Sequence, residues 1–172
     1  MTALQLTLAI IKPHVIKNPF SLEAIRNIIV SSNFKVVKSK RKHITPDEAE
    51  MFYEEHMHKF FYNRLITFMT SGPSDVYILA KENAIKDWRT LMGPTKVYKA
   101  QFEARESIRG KYGFTDTRNA THGSDSPETA KREIGIFFPE FDYEGWFKTE
   151  EPKFHHNLKL DKMNFVHVTD NR

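Results

Sequence analysis

The chain has 172 residues, 40% of them hydrophobic and 28% charged, with no cysteine. That is enough for one domain with a real core, and it excludes a disordered chain, disulfides and thiolate metal sites. The net charge is +4, with five Lys/Arg against six Asp/Glu in residues 142–172 and 21 against 16 in residues 1–141; a mildly basic body suits phosphates or polyanions, and is also common in proteins that bind neither.

No apolar run approaches the ~20 residues that a membrane-spanning helix needs, and no basic segment precedes an apolar stretch at the start. A membrane is therefore not expected as a partner. An intracellular location is, in the cytoplasm or alternatively the mitochondrion.

Leu4, Leu6, Leu8 and Ile10 alternate with Gln5, Thr7 and Ala9, the period of a strand. Ile11-Lys12-Pro13 ends it, because proline cannot continue a ladder. Lys12 then stands where the strand leaves the sheet, either as a placed cation or as an ordinary surface lysine. Leu22, Ile25 and Ile29 recur at helical spacing and predict a helix over 20–32. Residues 34–42 read as a weaker, lysine-rich strand with a solvated edge. Aromatic residues are not interleaved after Phe34, so the run does not read as a nucleic-acid patch.

Thr45-Pro46-Asp47-Glu48 is a capping box with proline at the first helical position, and predicts a helix to about residue 58. Phe61, Leu65, Phe68 and Met69 predict another, stopped at Gly72-Pro73. Phe52, Tyr53, Phe60 and Tyr62 crowd the same region. Most of these aromatics belong to the core, and one or two at a helix junction suit a stacking platform. Residues 76–80 form a short apolar strand. Ile85, Trp88 and Leu91 then mark a helix that ends at Gly93-Pro94. Arg89 lies near its C-terminus, where an arginine also favours the helix dipole.

Residues 94–121 lack strong periodicity. Glycines at 93, 110, 113 and 123 punctuate or flank them, and Arg105, Arg109, Lys111 and Arg118 are spread along them. They read as a long loop ending in a last short strand, facing phosphate or simply solvent. His122-Gly123 follows, with Ser124, Asp125 and Ser126 crowding hydrogen-bonding groups beside it. Ser126 is a natural N-cap and Pro127 a natural first residue for the helix predicted over 127–138. His122 is thus expected at the mouth of a helix N-terminus, which favours an anion. A histidine nucleophile that passes on a phosphoryl group suits that place, as does a merely structural histidine. Ala130, Ile134 and Phe137 face inward on this helix, with Glu133 at the edge of the apolar face. A carboxylate there needs a partner, either a lysine or His122. After Phe141 the pattern fails. Residues 142–172 read as a tail that wraps the body and frays, distinct from a domain over 1–141. His155-His156 lacks the carboxylate or cysteine that would complete a metal site.

The order of elements predicts an α/β (α+β) sandwich on a ferredoxin-like βαββαβ plan: a four-stranded antiparallel sheet with added helices, all on one face.

The stretch Asn119-x-x-His122-Gly-Ser-Asp-Ser126 resembles the signature of the nucleoside diphosphate kinase family. Ile11-Lys12-Pro13, Ser71-Gly72-Pro73 and Ile108-Arg109-Gly110 match the family in the same order, so the resemblance spans residues 4–141. It implies transfer of the terminal phosphate of a nucleoside triphosphate to a nucleoside diphosphate through a phosphohistidine. Carried over, His122 is the nucleophile, oriented by Glu133 with help from Ser124. Lys12, Tyr53, Arg89, Thr95 and Arg109 hold the phosphates and the Mg²⁺-bound oxygens. Asn119 and Lys12 contact the sugar, and Phe61 stacks on the base with Leu65 beside it. The chain supplies no metal ligand of its own, since Mg²⁺ arrives on the nucleotide phosphates.

Four departures mark a divergent branch of that family. His14 stands where aspartate is usual, Pro94 replaces a usually acidic residue, and Asp116 replaces a small apolar residue near the base. The stretch between Thr95 and Arg109 is a few residues longer than in most members, where it helps build trimer contacts. Three copies of Lys96, Lys99 and Arg105 around one axis would repel, offset in part by Glu103 and Glu106. A dimer or monomer with a mobile loop is therefore expected in place of a hexamer. The alternative function is a weakly active kinase-fold binding or regulatory subunit that works through a protein partner. Nucleic acid is not an expected partner, because the lysines are scattered rather than clustered with aromatics.

Overall fold

The structure is a computed structural model that describes residues 2–170. The chain runs β1 (Gln5–Ile11), α1 (Pro13–Ile16), α2 (Pro19–Ser31), β2 (Lys35–His43), α3 (Pro46–Phe52), α4 (Tyr62–Met69), β3 (Pro73–Lys81) and α5 (Ala84–Met92). It continues with α6 (Val97–Glu103), α7 (Ile108–Tyr112), β4 (Thr121–Gly123), α8 (Pro127–Phe137), α9 (Tyr143–Thr149), β5 (Leu158–Asp161) and β6 (Val166–Thr169). The four expected strands form one sheet in the order β2-β3-β1-β4, with every neighbouring pair antiparallel.

β1 lies inside the sheet, and its side chains alternate between two cores. Leu6, Leu8 and Ile10 join Val76, Ile78 and Ala80 of β3 on one face. Ala9 and Ile11 join Tyr77 and Leu79 on the other. Helices therefore cover both faces, and the expectation of one helical face is corrected. The crossover helices α2 and α5 share one side through Ile25, Ile29 and Trp88. The added helices α3, α8 and α9 cover the other through Phe52, Phe137 and Trp146, with α4 contributing Met69. The physical reason is in β1 and β3: both faces carry buried apolar residues, Leu6, Leu8 and Ile10 on one and Ala9, Ile11, Tyr77 and Leu79 on the other, and neither group can be left in water.

Local chemistry sets the helix ends. Thr45 and Glu48 exchange the two hydrogen bonds of a capping box, at 3.2 and 3.0 Å. Asn18 and Ser126 accept backbone N–H groups at the starts of α2 and α8, each followed by proline. α3 ends sooner than expected, with a separate 3₁₀ turn at 54–56.

Two expectations about irregular chain are corrected. Residues 94–121 are not one loop: α6 and α7 lie within them, burying Val97, Ala100 and Ile108. Helices of seven and five residues are too short to print a 3.6-residue period on the sequence. Gly93, just after α5, has φ 81°, and a Cβ there would collide with Ser107 at the start of α7. The tail is also ordered within the described residues. Trp146 is buried in the core beside α8, and Glu151 accepts the Leu4 N–H at 3.1 Å. The β5–β6 hairpin docks beside β2, where the ladder is broken between Val36 and Lys38. His167 Nδ1 accepts the Val36 N–H at 2.8 Å, and Phe165 packs 5.0 Å from Tyr77 beneath the Arg26 guanidinium. Arg26 and Arg41 both bind buried Asp75 beside this contact.

An imidazole accepts at Nδ1 only when that nitrogen is unprotonated. Burial, with Lys35 nearby, pushes His167 down to about 4. Its contribution to stability is thus present above the unfolded value of about 6.5 and is lost as pH falls through about 4. His167→Ala is expected to cost about 1–3 kcal/mol at pH 7, by leaving the Val36 N–H unpaired, and to flatten the loss of stability between pH 6.5 and 4. Urea unfolding across that range checks both; an unchanged midpoint at pH 7 would refute the latch.

Candidate functional site

The site forms where β4 meets β1. Ile10 pairs with His122 and Ala9 with Gly123. Just before β4, Ala120 adopts φ 75°, a region costly for a residue with a Cβ. Its carbonyl accepts the Lys12 N–H at 2.9 Å, so the end of β1 holds the turn in place. On the other side, Gly123 lies against α5, and a Cβ there would collide with the Trp88 ring. Glycine therefore allows the close approach, and the Trp88 indole N–H donates to the His122 carbonyl at 3.1 Å.

The His122 ring is held from behind. Its Nε2 lies 3.1 Å from each oxygen of Glu133 on α8. Ser124 donates its hydroxyl to Glu133 at 2.7 Å and accepts the Leu8 N–H at 3.1 Å. Glu133 is 3% exposed, while the His122 side chain remains 23% exposed toward the cleft. A carboxylate can only accept, so Nε2 carries the hydrogen and Nδ1 keeps its lone pair. Of the two partners considered for Glu133, the structure provides His122. The Phe52 ring meets the imidazole edge-on with centroids 4.6 Å apart.

In front of His122 opens a cleft of about 1420 Å³. Every residue named for nucleotide binding from the resemblance lines it: Lys12, Tyr53, Phe61, Leu65, Arg89, Thr95, Arg109 and Asn119. Ser124 stands behind the ring rather than on the wall. Lys12 is no surface lysine. It is 5% exposed, and its Nζ donates to Asn119 Oδ1 at 2.6 Å and to the Thr117 carbonyl at 3.5 Å. Burial, and then the Arg109 charge, lowers it to about 7. Arg109 on α7 is lowered to about 10, by burial and then by Arg89. Its two terminal nitrogens donate to the carbonyls of Gly93 at 2.8 Å and Thr121 at 3.0 Å. Those carbonyls fix the guanidinium without neutralising it. Burial, then Glu133, raises the Tyr53 hydroxyl, so it remains a proton donor at neutral pH.

The aromatic end of the cleft comes from the α3–α4 junction, with Tyr53 after α3 and Phe61 before α4. Asp116, on the chain before β4, also lines the cleft. Its Oδ1 accepts the Val97 N–H at 3.1 Å, and its carbonyl accepts the Asn119 amide at 3.1 Å. It thereby ties α6 to the Lys12–Asn119 pair. Pro94 also lines the cleft, whereas His14 packs outside the lining between Phe68 and Phe114. Sequence reasoning assigned no role to Trp88, Phe52 or Ala120 at this site. No local signal marks them, because each acts through a contact distant in the chain or through backbone strain. Among the described residues no group of three or more His, Asp or Glu side chains gathers as a metal site.

The family model described as nucleoside diphosphate kinase matches residues 5–143. A Danio rerio protein named nucleoside diphosphate kinase 6 is 56% identical over 152 residues, covering 88% of this chain and 86% of its own length. A Homo sapiens protein of the same name is 51% identical over 151 residues, covering 88% and 81%. Among solved structures, a nucleoside diphosphate kinase of Aquifex aeolicus superposes with a TM-score of 0.76 at 37% identity, covering 79% of this chain and 96% of its own. One from Halobacterium salinarum, solved in complex with CDP, gives a TM-score of 0.73 at 30% identity, covering 83% and 97%.

The charge of Lys12 makes anion binding depend on pH. An anion in the cleft favours the ammonium, so above pH 7 binding draws in a proton, and the affinity falls as pH rises. Pyrophosphate titration by calorimetry at pH 7 and pH 9 is expected to show this weakening relative to Lys12→Arg, whose guanidinium stays charged. Parallel pH profiles for the two proteins would exclude a titrating Lys12.

Proposed function

From the premise that the chain belongs to the nucleoside diphosphate kinase family, we propose that it transfers the terminal phosphate of a nucleoside triphosphate to a nucleoside diphosphate through a phosphohistidine on His122. The observation that carries this reading is the Ser124–Glu133–His122 chain at the wall of a cationic cleft. Because Nε2 is committed to Glu133, Nδ1 is the free nucleophile. It attacks the terminal phosphorus in line, the P–O bond to the leaving diphosphate breaks, and Glu133 stabilises the positive charge that develops on the ring. In the second half, a terminal oxygen of another nucleoside diphosphate attacks the phosphorus and the P–N bond breaks. His122 is regenerated with its Nε2 proton in place.

Positioning and charge supply most of such a rate. Lys12, Arg89 and Arg109 offset the charge on the transferring phosphoryl group, and Tyr53 and Thr95 offer hydroxyl donors. The cleft's ligand groups are chiefly donors and cations, and Glu133 is engaged, so the residues fit a Mg²⁺ ion held mainly by the nucleotide's own phosphates. That ion would neutralise phosphate charge and hold the chain of phosphates in one geometry. Asn119 with Lys12 faces the sugar. Phe61, with Leu65 beside it, offers a stacking surface that every base can use, which predicts broad base tolerance.

A second reading has its own observation. Tyr98 and Phe102 stand 73% and 72% exposed on α6, side by side with ring centroids 5.3 Å apart. An aromatic pair left in water on the inserted segment favours a chain whose full activity waits on a protein partner. With Lys96, Lys99 and Arg105 on the same segment, we expect the isolated chain to be a monomer or dimer. A stable, fully active hexamer in light scattering would sink that expectation.

Labelled ATP is expected to leave acid-labile, alkali-stable label on the wild-type protein and none on His122→Asn, which should lose transfer while keeping its unfolding midpoint. Label retained by the variant would remove the mechanism. Phe61→Ala is expected to raise the Michaelis constants for all bases alike, by roughly 5- to 150-fold for a stacking loss of about 1–3 kcal/mol. A loss confined to one base would show that bases are read by hydrogen bonds instead.

A further inference from the structure

Lys12 is surrounded by an unusual set of groups. It is buried, yet it lines the cleft. Its two hydrogen-bond partners, Asn119 Oδ1 and the Thr117 carbonyl, are both neutral acceptors. No carboxylate pairs with its Nζ among the described ion pairs. The charged and titratable groups that bear on it are Arg109 on α7, with Arg89 of α5 behind it, and His14 on α1. Asp116, which adjoins Thr117 in the chain, is tied to the Val97 N–H. A neutral amine has two N–H donors and one lone pair. The two acceptors match its donors and leave the lone pair free. An ammonium in the same place would keep a third N–H without a protein partner and would face Arg109.

We propose that Lys12 is a nucleophilic lysine that takes an acyl group from small acyl phosphates, a modification that switches off the phosphate-binding cleft. The cationic groups that surround the amine bind the phosphate end of such a reagent and bring its carbonyl to Nζ. The amine lone pair attacks the carbonyl carbon, the carbon–oxygen bond to phosphate breaks, and inorganic phosphate leaves. The amine proton passes to that phosphate or to water, and an amide remains. No oxidant, reductant or metal is needed. The amide carries no charge and cannot take up a proton, so the cleft loses the cation that a bound anion calls up at Lys12.

Magnitudes favour Lys12 over the exposed lysines. At pH 7.4 a lysine with its pKa lowered to about 7 is roughly 70% free amine, against about 0.1% for an ordinary lysine. Lower basicity weakens the nucleophile; with a Brønsted slope of about 0.45, borrowed from thiols, the net advantage is still roughly 20-fold.

The test does not depend on phosphoryl transfer. The full chain is treated with acetyl phosphate at pH 7.4, and acetylation is followed by peptide mass spectrometry. Lys12 is expected to be modified about 20-fold faster than exposed Lys59 and Lys159, with a rate that levels off above pH 8 while theirs keeps rising. Pyrophosphate should protect Lys12 alone. Acetylation should weaken ADP binding by at least tenfold in the wild type and leave Lys12→Arg unchanged. A Lys12 rate at or below that of the exposed lysines would overturn the proposal, as would equal labelling of Lys12 in the presence of pyrophosphate. A failure of phosphate transfer, with this labelling intact, would count against the kinase reading and not against this one.

Discussion

A buried carboxylate that must be satisfied organises this molecule. Glu133 is taken from water on the inner face of α8, and a charge so placed is tolerable only with good partners. It has Ser124 and His122, and Ser124 in turn is held by the Leu8 N–H of the central strand. β1 is thereby locked into one relation with β4 and α8, which lie far along the chain from it. The imidazole cannot turn without stranding the carboxylate. That is how a side chain still partly open to a cleft keeps one nitrogen fixed and the other free. Phe52, from α3, closes the remaining side of the ring.

The front of the cleft follows the opposite rule. There the buried groups are basic, and they are held by neutral oxygens. Arg109 rests on two backbone carbonyls and Lys12 on an amide oxygen and a carbonyl. Such partners orient a positive charge without cancelling it, so the cleft keeps its attraction for an anion. The cost appears as the lowered values of both residues and as the left-handed Ala120 that brings Thr121 and Asn119 into reach. Stability given up at a site for the sake of binding is a common bargain in folded proteins. Asp116 extends the arrangement outward, since through it the start of α6 is coupled to Asn119 and Lys12.

The segment after α8 serves the sheet rather than the cleft. β2 is an edge strand with a break in its ladder, and such an edge exposes unpaired backbone groups. The hairpin of β5 and β6 covers part of it, and His167 receives an N–H that the break leaves over. Phe165 and Arg26 pin the hairpin beside the Asp75 ion pairs. α9 anchors the other end through Trp146.

Much of this was legible along the chain. The strand alternation at Leu6, Leu8 and Ile10, the capping box at Thr45, the Ser126–Pro127 start of α8 and the glycine after His122 are local signals, and each reports an interaction between near neighbours. The ordered motifs around Lys12, Arg109, Asn119 and His122 named positions that the fold then gathered on one cleft. The sequence alone left open whether Glu133 met a lysine or His122, and whether Lys12 was buried. It suggested helices on one face only, a loop where α6 and α7 stand, and a frayed tail where a hairpin docks. Trp88, Phe52 and Ala120 were silent as parts of the site. The division has one cause: caps, turns and periodic faces are settled by residues a few places apart, whereas burial, the partner of a buried charge and the covering of a strand edge are settled by residues far apart in the chain, which only the closed tertiary structure brings together.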